Sequence, residues 1–142
     1  MRIKIKKYKK VKSTNDIALS FIKKNTSEPT LIITEKQTSG RGRFGKKWIS
    51  KKGNLLVSLF FKFDEKRINF KQFSVLNAFL LKKVISKAIS KKIKIKWPND
   101  LLFKNMKFCG ILQEVIKINN FNYLIVGIGL NTNVDPRNKS FK

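Results

Sequence analysis

Residues 107–130, KFCGILQEVIKINNFNYLIVGIGL, decide how this chain folds. Two apolar runs, 107–118 and 121–130, flank the pair Asn119-Asn120. Asparagine tolerates the left-handed backbone that a two-residue hairpin turn demands, so the stretch reads as two long antiparallel strands. Just upstream, residues 93–97 form a strand that Pro98 stops, and residues 100–103 a short continuation of it before a turn at Lys104-Asn105. Before these, residues 70–90 place Phe73, Leu76, Phe79, Leu80, Val84, Ile85 and Ile89 at the spacing of a long amphipathic helix packed on a sheet, its lysines outward.

Further toward the N-terminus lie an apolar strand over 54–61, a loop over 37–53 and a short β-branched strand over 30–34. Ser13-Thr14-Asn15-Asp16 can cap the exposed amides of a helix whose apolar stripe is Ile17, Ala18, Phe21 and Ile22, closed by residues 25–29. Residues 2–9 alternate basic and apolar side chains, as a strand with one buried face does. With no repeat, linker or low-complexity segment, the chain reads as one α/β domain built on a mixed, mostly antiparallel sheet backed by helices.

The 142 residues, 42% hydrophobic, suffice for one packed domain. No apolar run approaches a membrane span, and the first residues alternate instead of forming a signal-peptide core, so a cytoplasmic location and no membrane partner are expected. The single cysteine, Cys109, forms no internal disulfide, and the absence of histidine excludes a histidine general base and a histidine-bearing zinc site. The formal net charge of +25 favours polyanionic partners on electrostatics alone. Lysine scattered through every segment equally fits a coding bias, and no nucleic-acid recognition module accompanies the charge, so no specific DNA partner is expected. Nothing in the sequence specifies an oligomeric state.

Four short motifs carry chemistry. In Gly40-Arg41-Gly42-Arg43-Phe44-Gly45-Lys46-Lys47-Trp48, glycines allow close backbone approach while arginines offer planar charged forks for carboxylate or phosphate oxygens. The same loop could bind single-stranded nucleic acid or be an ordinary mobile loop, and it lacks the Gly-Lys-Ser/Thr ending of a Walker loop. Lys96-Trp97-Pro98-Asn99-Asp100 presents an amide and a carboxylate at a strand tip, Asp100 being able to hold magnesium or a lysine, although Pro, Asn and Asp also make plain turns. Residues 107–114 set Lys107 at the mouth of a strand whose Gly110 permits close approach. Residues 127–133, Gly127-Ile128-Gly129-Leu130-Asn131-Thr132-Asn133, end a strand in amides, without a dinucleotide fingerprint.

Read in order together with Ser13-Thr14-Asn15, these motifs resemble the catalytic domain of the biotin-protein ligases, the biotin-[acetyl-CoA-carboxylase] ligases, from about residue 10 to residue 133. The resemblance implies a fold akin to class II aminoacyl-tRNA synthetase cores and a two-step reaction with ATP, biotin and Mg2+. Biotin's carboxylate attacks the α-phosphate of ATP, and a lysine of the biotin carboxyl carrier domain of acetyl-CoA carboxylase, or of a related carboxylase, then takes the biotinoyl group.

By the same resemblance, Ser13, Thr14, Asn15, Gln37, Gly40, Arg41, Gly42, Arg43 and Lys107 match biotin-binding positions. Arg43, Lys46, Trp48, Asn99, Lys107 and Asn131 match the nucleotide side. Lys107, Arg43 and Asp100 are the candidate catalytic residues, with Asp100 the candidate for the magnesium environment or for activating the incoming lysine. Lys46 stands where the family usually has arginine, which keeps charge but loses bidentate geometry. Family members continue past the 127–133 motif with further helices and a small β-barrel, so residues 1–142 read as a C-terminally short catalytic domain without the winged-helix DNA-binding domain of bifunctional members. A lipoate-protein ligase, a basic nucleic-acid binder and an inactive fragment are the competing readings.

Overall fold

The computed structural model describes residues 2–88 and 92–132. The elements in chain order are β1 (Lys4–Val11), α1 (Thr14–Lys23), β2 (Thr30–Gln37), β3 (Leu55–Phe63), α2 (Phe70–Ala88), β4 (Lys94–Lys96), β5 (Asp100–Phe103), β6 (Met106–Ile118) and β7 (Phe121–Leu130). They form a seven-stranded sheet in the order β1-β2-β3-β7-β6-β5-β4. The β1-β2 pairing is parallel and the others are antiparallel, as the sequence predicts for a mixed sheet.

The β6-β7 hairpin lies near the centre of the sheet, with Ile118 opposite Phe121. Asn119 and Asn120 both take positive φ, 49° and 61°, which gives a tight turn whose twist matches the strands. Lys104 and Asn105, at 50° and 60°, turn β5 into β6 in the same way.

Because alternate residues of a strand face opposite sides, β7 separates two cores. Tyr123 and Ile125 join Phe60, Ile32, Ala18 and Ile22 under α1, whereas Leu124, Val126 and Leu130 join Phe73, Ile85, Leu101 and Ile111 under α2. The helices therefore sit on opposite faces of the sheet. Phe60 is fully buried on the α1 face, a burial that contributes about 1.5–3 kcal/mol.

Three expectations change. Residues 94–96 and 100–103 do not continue one another: β4 and β5 pair antiparallel, with Lys96 opposite Asp100, because Trp97, Pro98 and Asn99 reverse the chain. The first strand does not bury an apolar face. Ile3 and Ile5 are 41% and 57% exposed, since α1 packs mainly on β2, β3 and β7; of β1, Tyr8 reaches the core under α1 and Val11 is buried. Its lysines instead guard a sheet edge against pairing with another strand.

On α2, Leu76, Phe79, Leu80 and Val84 are exposed, and Phe73, Ala78 and Ile85 are the buried residues. The helix rests on the narrow β4-β5-β6 end of the sheet, where small Ala78 allows close approach, so the neighbouring apolar stripe turns outward. Ile89, Ser90 and Lys91 lie outside the described residues, as does Asn133. No helix among the described residues is long and apolar enough to cross a membrane.

Candidate functional site

Most of the sequence-predicted site residues line one cleft of about 600 Å³ on the α1 face, between the N-terminus of α1, the arginine-glycine loop and strands β5 to β7. Ser13, Thr14, Asn15 and Gln37 stand at one end. Arg41, Gly42, Arg43, Lys46 and Trp48 come from the loop, and Asn99, Asp100, Lys107 and Asn131 from the strand ends. Gly40 is the exception. It lies behind the lining, where its carbonyl accepts from the Trp48 amide at 2.8 Å. A Cβ there would come 2.5 Å from the Trp48 carbonyl oxygen, so the need for glycine is steric.

The first end is built from neutral groups already hydrogen-bonded to one another. Ser13 caps α1, its Oγ accepting from the Asp16 amide at 3.4 Å. Thr14 donates from its amide (2.7 Å) and its hydroxyl (3.0 Å) to Gln37 Oε1. Ser58 Oγ, fully buried on β3, lies 2.7 Å from Thr14 Oγ1 and 2.5 Å from Asn15 Oδ1. Asn15 donates through Nδ2 to Glu114 Oε2 at 2.7 Å. Gly127 makes this possible: an added Cβ would come within 3.0 Å of Asn15 Cγ and nearer still to its Oδ1. The result is a largely buried surface of neutral side chains, backed by the Glu114 carboxylate.

The other end concentrates cations. Arg43 Nη1 donates to Asn99 Oδ1 at 3.0 Å, and Asn99 Nδ2 is itself held by the Ile111 carbonyl at 2.8 Å. The partner is neutral, so the charge of Arg43 stays available to an anion. Lys107 Nζ lies 2.8 Å from Asp100 Oδ1 and 5.6 Å above the Trp48 ring. The two candidate catalytic groups of the strands are thus each other's partners in this state. Lys46 is exposed, its carbonyl accepting from the Gly42 amide at 2.6 Å. Asn131 Oδ1 accepts from Asn54 at 3.2 Å.

Trp48 lies across Gly110 and Gly129, which are opposite one another in the β6-β7 register and together form a floor without side chains. Its Nε1 is buried without a hydrogen-bond partner. Such a donor costs about 1–3 kcal/mol until an acceptor reaches it, which suits a ligand on this side of the cleft. The loop turns through Phe44 and Gly45, both at positive φ (54° and 71°), which supports the glycine at position 45.

Arg41 differs from Arg43. It forms a two-pronged pair with Glu114 (2.9 and 3.0 Å) and a further contact to Asp16 (2.8 Å). The hydrogen bond to Glu114 raises its pKa above the ordinary arginine value. Beneath the cleft, burial pushes the Cys109 thiol up to about 12, with Asp100 adding to the shift and Lys107 opposing it. Sequence reasoning gave no role to Ser58 or Glu114, and saw Asp16 only as part of a helix cap. The available signals were a lone serine inside an apolar strand and acidic residues in a chain with only eight of them.

The model of the biotin/lipoate A/B protein ligase family matches residues 8–131. The bifunctional ligase/repressor BirA of Bacillus subtilis is 36% identical over 126 residues, covering 87% of this chain and 39% of that protein. Biotin protein ligase from Leishmania major, solved with biotinyl-5-AMP, is similar with a TM-score of 0.78 and 26% identity over 94% of this chain and 59% of that one. The Aquifex aeolicus biotin protein ligase, solved with biotin and ATP, has a TM-score of 0.75 and 31% identity over 94% of this chain and 55% of that one. The chain therefore spans well short of each relative's full length.

Proposed function

This chain belongs to the biotin/lipoate A/B protein ligase family, and from that premise we propose that its cleft activates biotin with ATP and passes the biotinoyl group to a lysine of a biotin carboxyl carrier domain. The observation that carries the reading is the division of one cleft into a buried neutral network, Thr14-Asn15-Gln37-Ser58, and a cationic end bearing Arg43 and Lys107. Biotin is divided in the same way, with an uncharged ureido head and a carboxylate at the end of its chain.

In the first step a carboxylate oxygen bonds to the α-phosphorus of ATP while the bond to the bridging oxygen of pyrophosphate breaks. Two anions must meet, and charge gathers on the α-phosphate, so fixed cations lower the barrier. Lys107 exchanges its pair with Asp100 for the substrate oxygens, and Arg43, oriented by Asn99, holds the adenylate. The ring of Trp48 and the amides of Asn99 and Asn131 serve the nucleotide side. In the second step the carrier lysine's amine attacks the mixed anhydride, an amide forms and AMP leaves. The loop covers the anhydride and excludes water.

Magnesium fits in a limited way. Among the described residues no group of three acidic or cysteine side chains is placed to hold a metal. Asp100 offers one carboxylate, which suits an ion held mainly through substrate phosphates, and there it would neutralise phosphate charge. The carrier partner and a cytoplasmic location belong to the same proposal. The test is to supply ATP labelled at the α-phosphate with biotin or with lipoate and separate the products. Labelled biotinoyl-adenylate is expected with biotin; adenylate formed with lipoate in preference rejects the biotin assignment, and none with either rejects activation.

A further inference from the structure

Three of the chain's eight acidic residues pair with cations that line one cleft, Asp100 with Lys107 and Asp16 and Glu114 with Arg41, in a protein with 33 lysines and arginines. Asp100 meets Lys107, which the reaction uses. Glu114, on the α1 face of β6, has no part in the chemistry and yet meets two elements at once. Its two oxygens accept in parallel from the fork of Arg41, at 2.9 and 3.0 Å, and Oε2 also accepts from Asn15 Nδ2 at 2.7 Å.

The fork-to-carboxylate geometry fixes direction as well as charge. On one side it fastens the arginine-glycine loop to the sheet through Arg41, which Asp16 also braces. On the other it fixes which way the Asn15 amide points, with Nδ2 toward Glu114 and Oδ1 toward Ser58. Ser58 Oγ also lies 2.7 Å from Thr14 Oγ1, but its single proton serves one acceptor, so the orientation that Glu114 sets extends from Asn15 to Ser58.

We propose that Glu114 is a positioning residue that ties the arginine-glycine loop to Asn15, so that the loop's seating and the direction of the Asn15 amide are set by one carboxylate. Arg41 is then a tether whose charge Asp16 and Glu114 match, and Arg43 is the loop arginine left to face an anion. That the neutral pocket takes biotin rests on the proposed function; the tether does not.

The test uses limited trypsin digestion of the native protein without nucleotide, read by mass spectrometry as cleavage after Arg43 and Lys46. Cleavage of a locally opened segment tracks the population of the open form. Glu114→Gln keeps an acceptor for Asn15 but loses the fork and the charge. It should raise loop cleavage about fivefold to tenfold, as expected for the loss of a charge-assisted pair. Cleavage in β1 and α1 should stay unchanged, and biotin affinity should fall by a similar factor. In an Arg41→Gln background the same change should add little further cleavage. Additive effects of the two substitutions, or a matching rise in cleavage throughout the chain, would overturn the assignment. Absence of biotin binding by the unaltered protein would count against the proposed function, while the digestion cycle would still decide the tether.

Discussion

Gly129→Ala tests the cleft through one methyl group. A Cβ at this position would stand 2.6 Å from Cζ2 and Nε1 of Trp48 and closer still to Cε2. Carbon atoms rest at about 3.5–4.0 Å, so the indole must withdraw by about 1 Å or more. The clash is with the indole ring alone, and the strand backbone accepts alanine. Replacing glycine by alanine also narrows the unfolded ensemble, which contributes about 0.4–1 kcal/mol to stability and offsets part of the lost packing. The expected result is a folded protein with a near-normal Tm. Trp48 emission should shift to the red, against the constant signal of Trp97, which is already 76% exposed. Misplacement of a positioning group by about 1 Å costs on the order of 10²-fold, so kcat/KM for biotin-dependent adenylate formation should fall by about that factor. In a Trp48→Ala background the same substitution should have almost no further effect. Unchanged kcat/KM with an unchanged emission spectrum, or a full additional loss without Trp48, refutes the reasoning.

Other perturbations read different parts of the site. Lys107→Ala removes the cation paired with Asp100 at 2.8 Å and should slow adenylate formation by roughly 10² or more in single-turnover measurements; an unaltered rate removes Lys107 from the chemistry. Arg43→Gly keeps the neutral pocket but should release biotinoyl-adenylate into solution, so that bystander proteins become biotinylated on blotting; full retention of the adenylate argues against its holding role. Cys109, buried with its thiol raised from 9.0 to about 12, should resist alkylation at pH 8 in the folded state and react at once in denaturant. Because its folded pKa lies above the unfolded one, its contribution to stability is complete below about pH 9 and is lost as pH rises toward 12. Cys109→Ala should flatten the alkaline decline in Tm, and an equally steep decline would assign it to other groups.

The hairpin at Asn119-Asn120 was legible because turn chemistry and strand pattern are local and agree. The same holds for Ser13 as the cap of α1. The reversal at Trp97-Pro98-Asn99 was not, because two short apolar runs look alike whether the chain continues or folds back. On α2, apolar residues cover so wide an arc that periodicity offers two stripes. The choice between them depended on where the sheet ends and on Ala78 allowing close approach. Ser58 and Glu114 were missed because their meaning is a meeting across distant segments. Glu114 reads as one polar residue in a strand until Arg41, 73 positions away, is seen to grip it. The division between a tethered Arg41 and an available Arg43 lies beyond any spacing rule, since the two arginines share one local motif.

The central claim is that this cleft makes biotinoyl-adenylate and hands it to a carrier lysine. The most direct measurement is the intact mass of a purified biotin carboxyl carrier domain after incubation with this protein, biotin, ATP and magnesium. The account predicts a gain of one biotinoyl group at a single lysine, dependent on ATP and lost in Lys107→Ala. An unmodified carrier, with no adenylate bound to the protein, would contradict it.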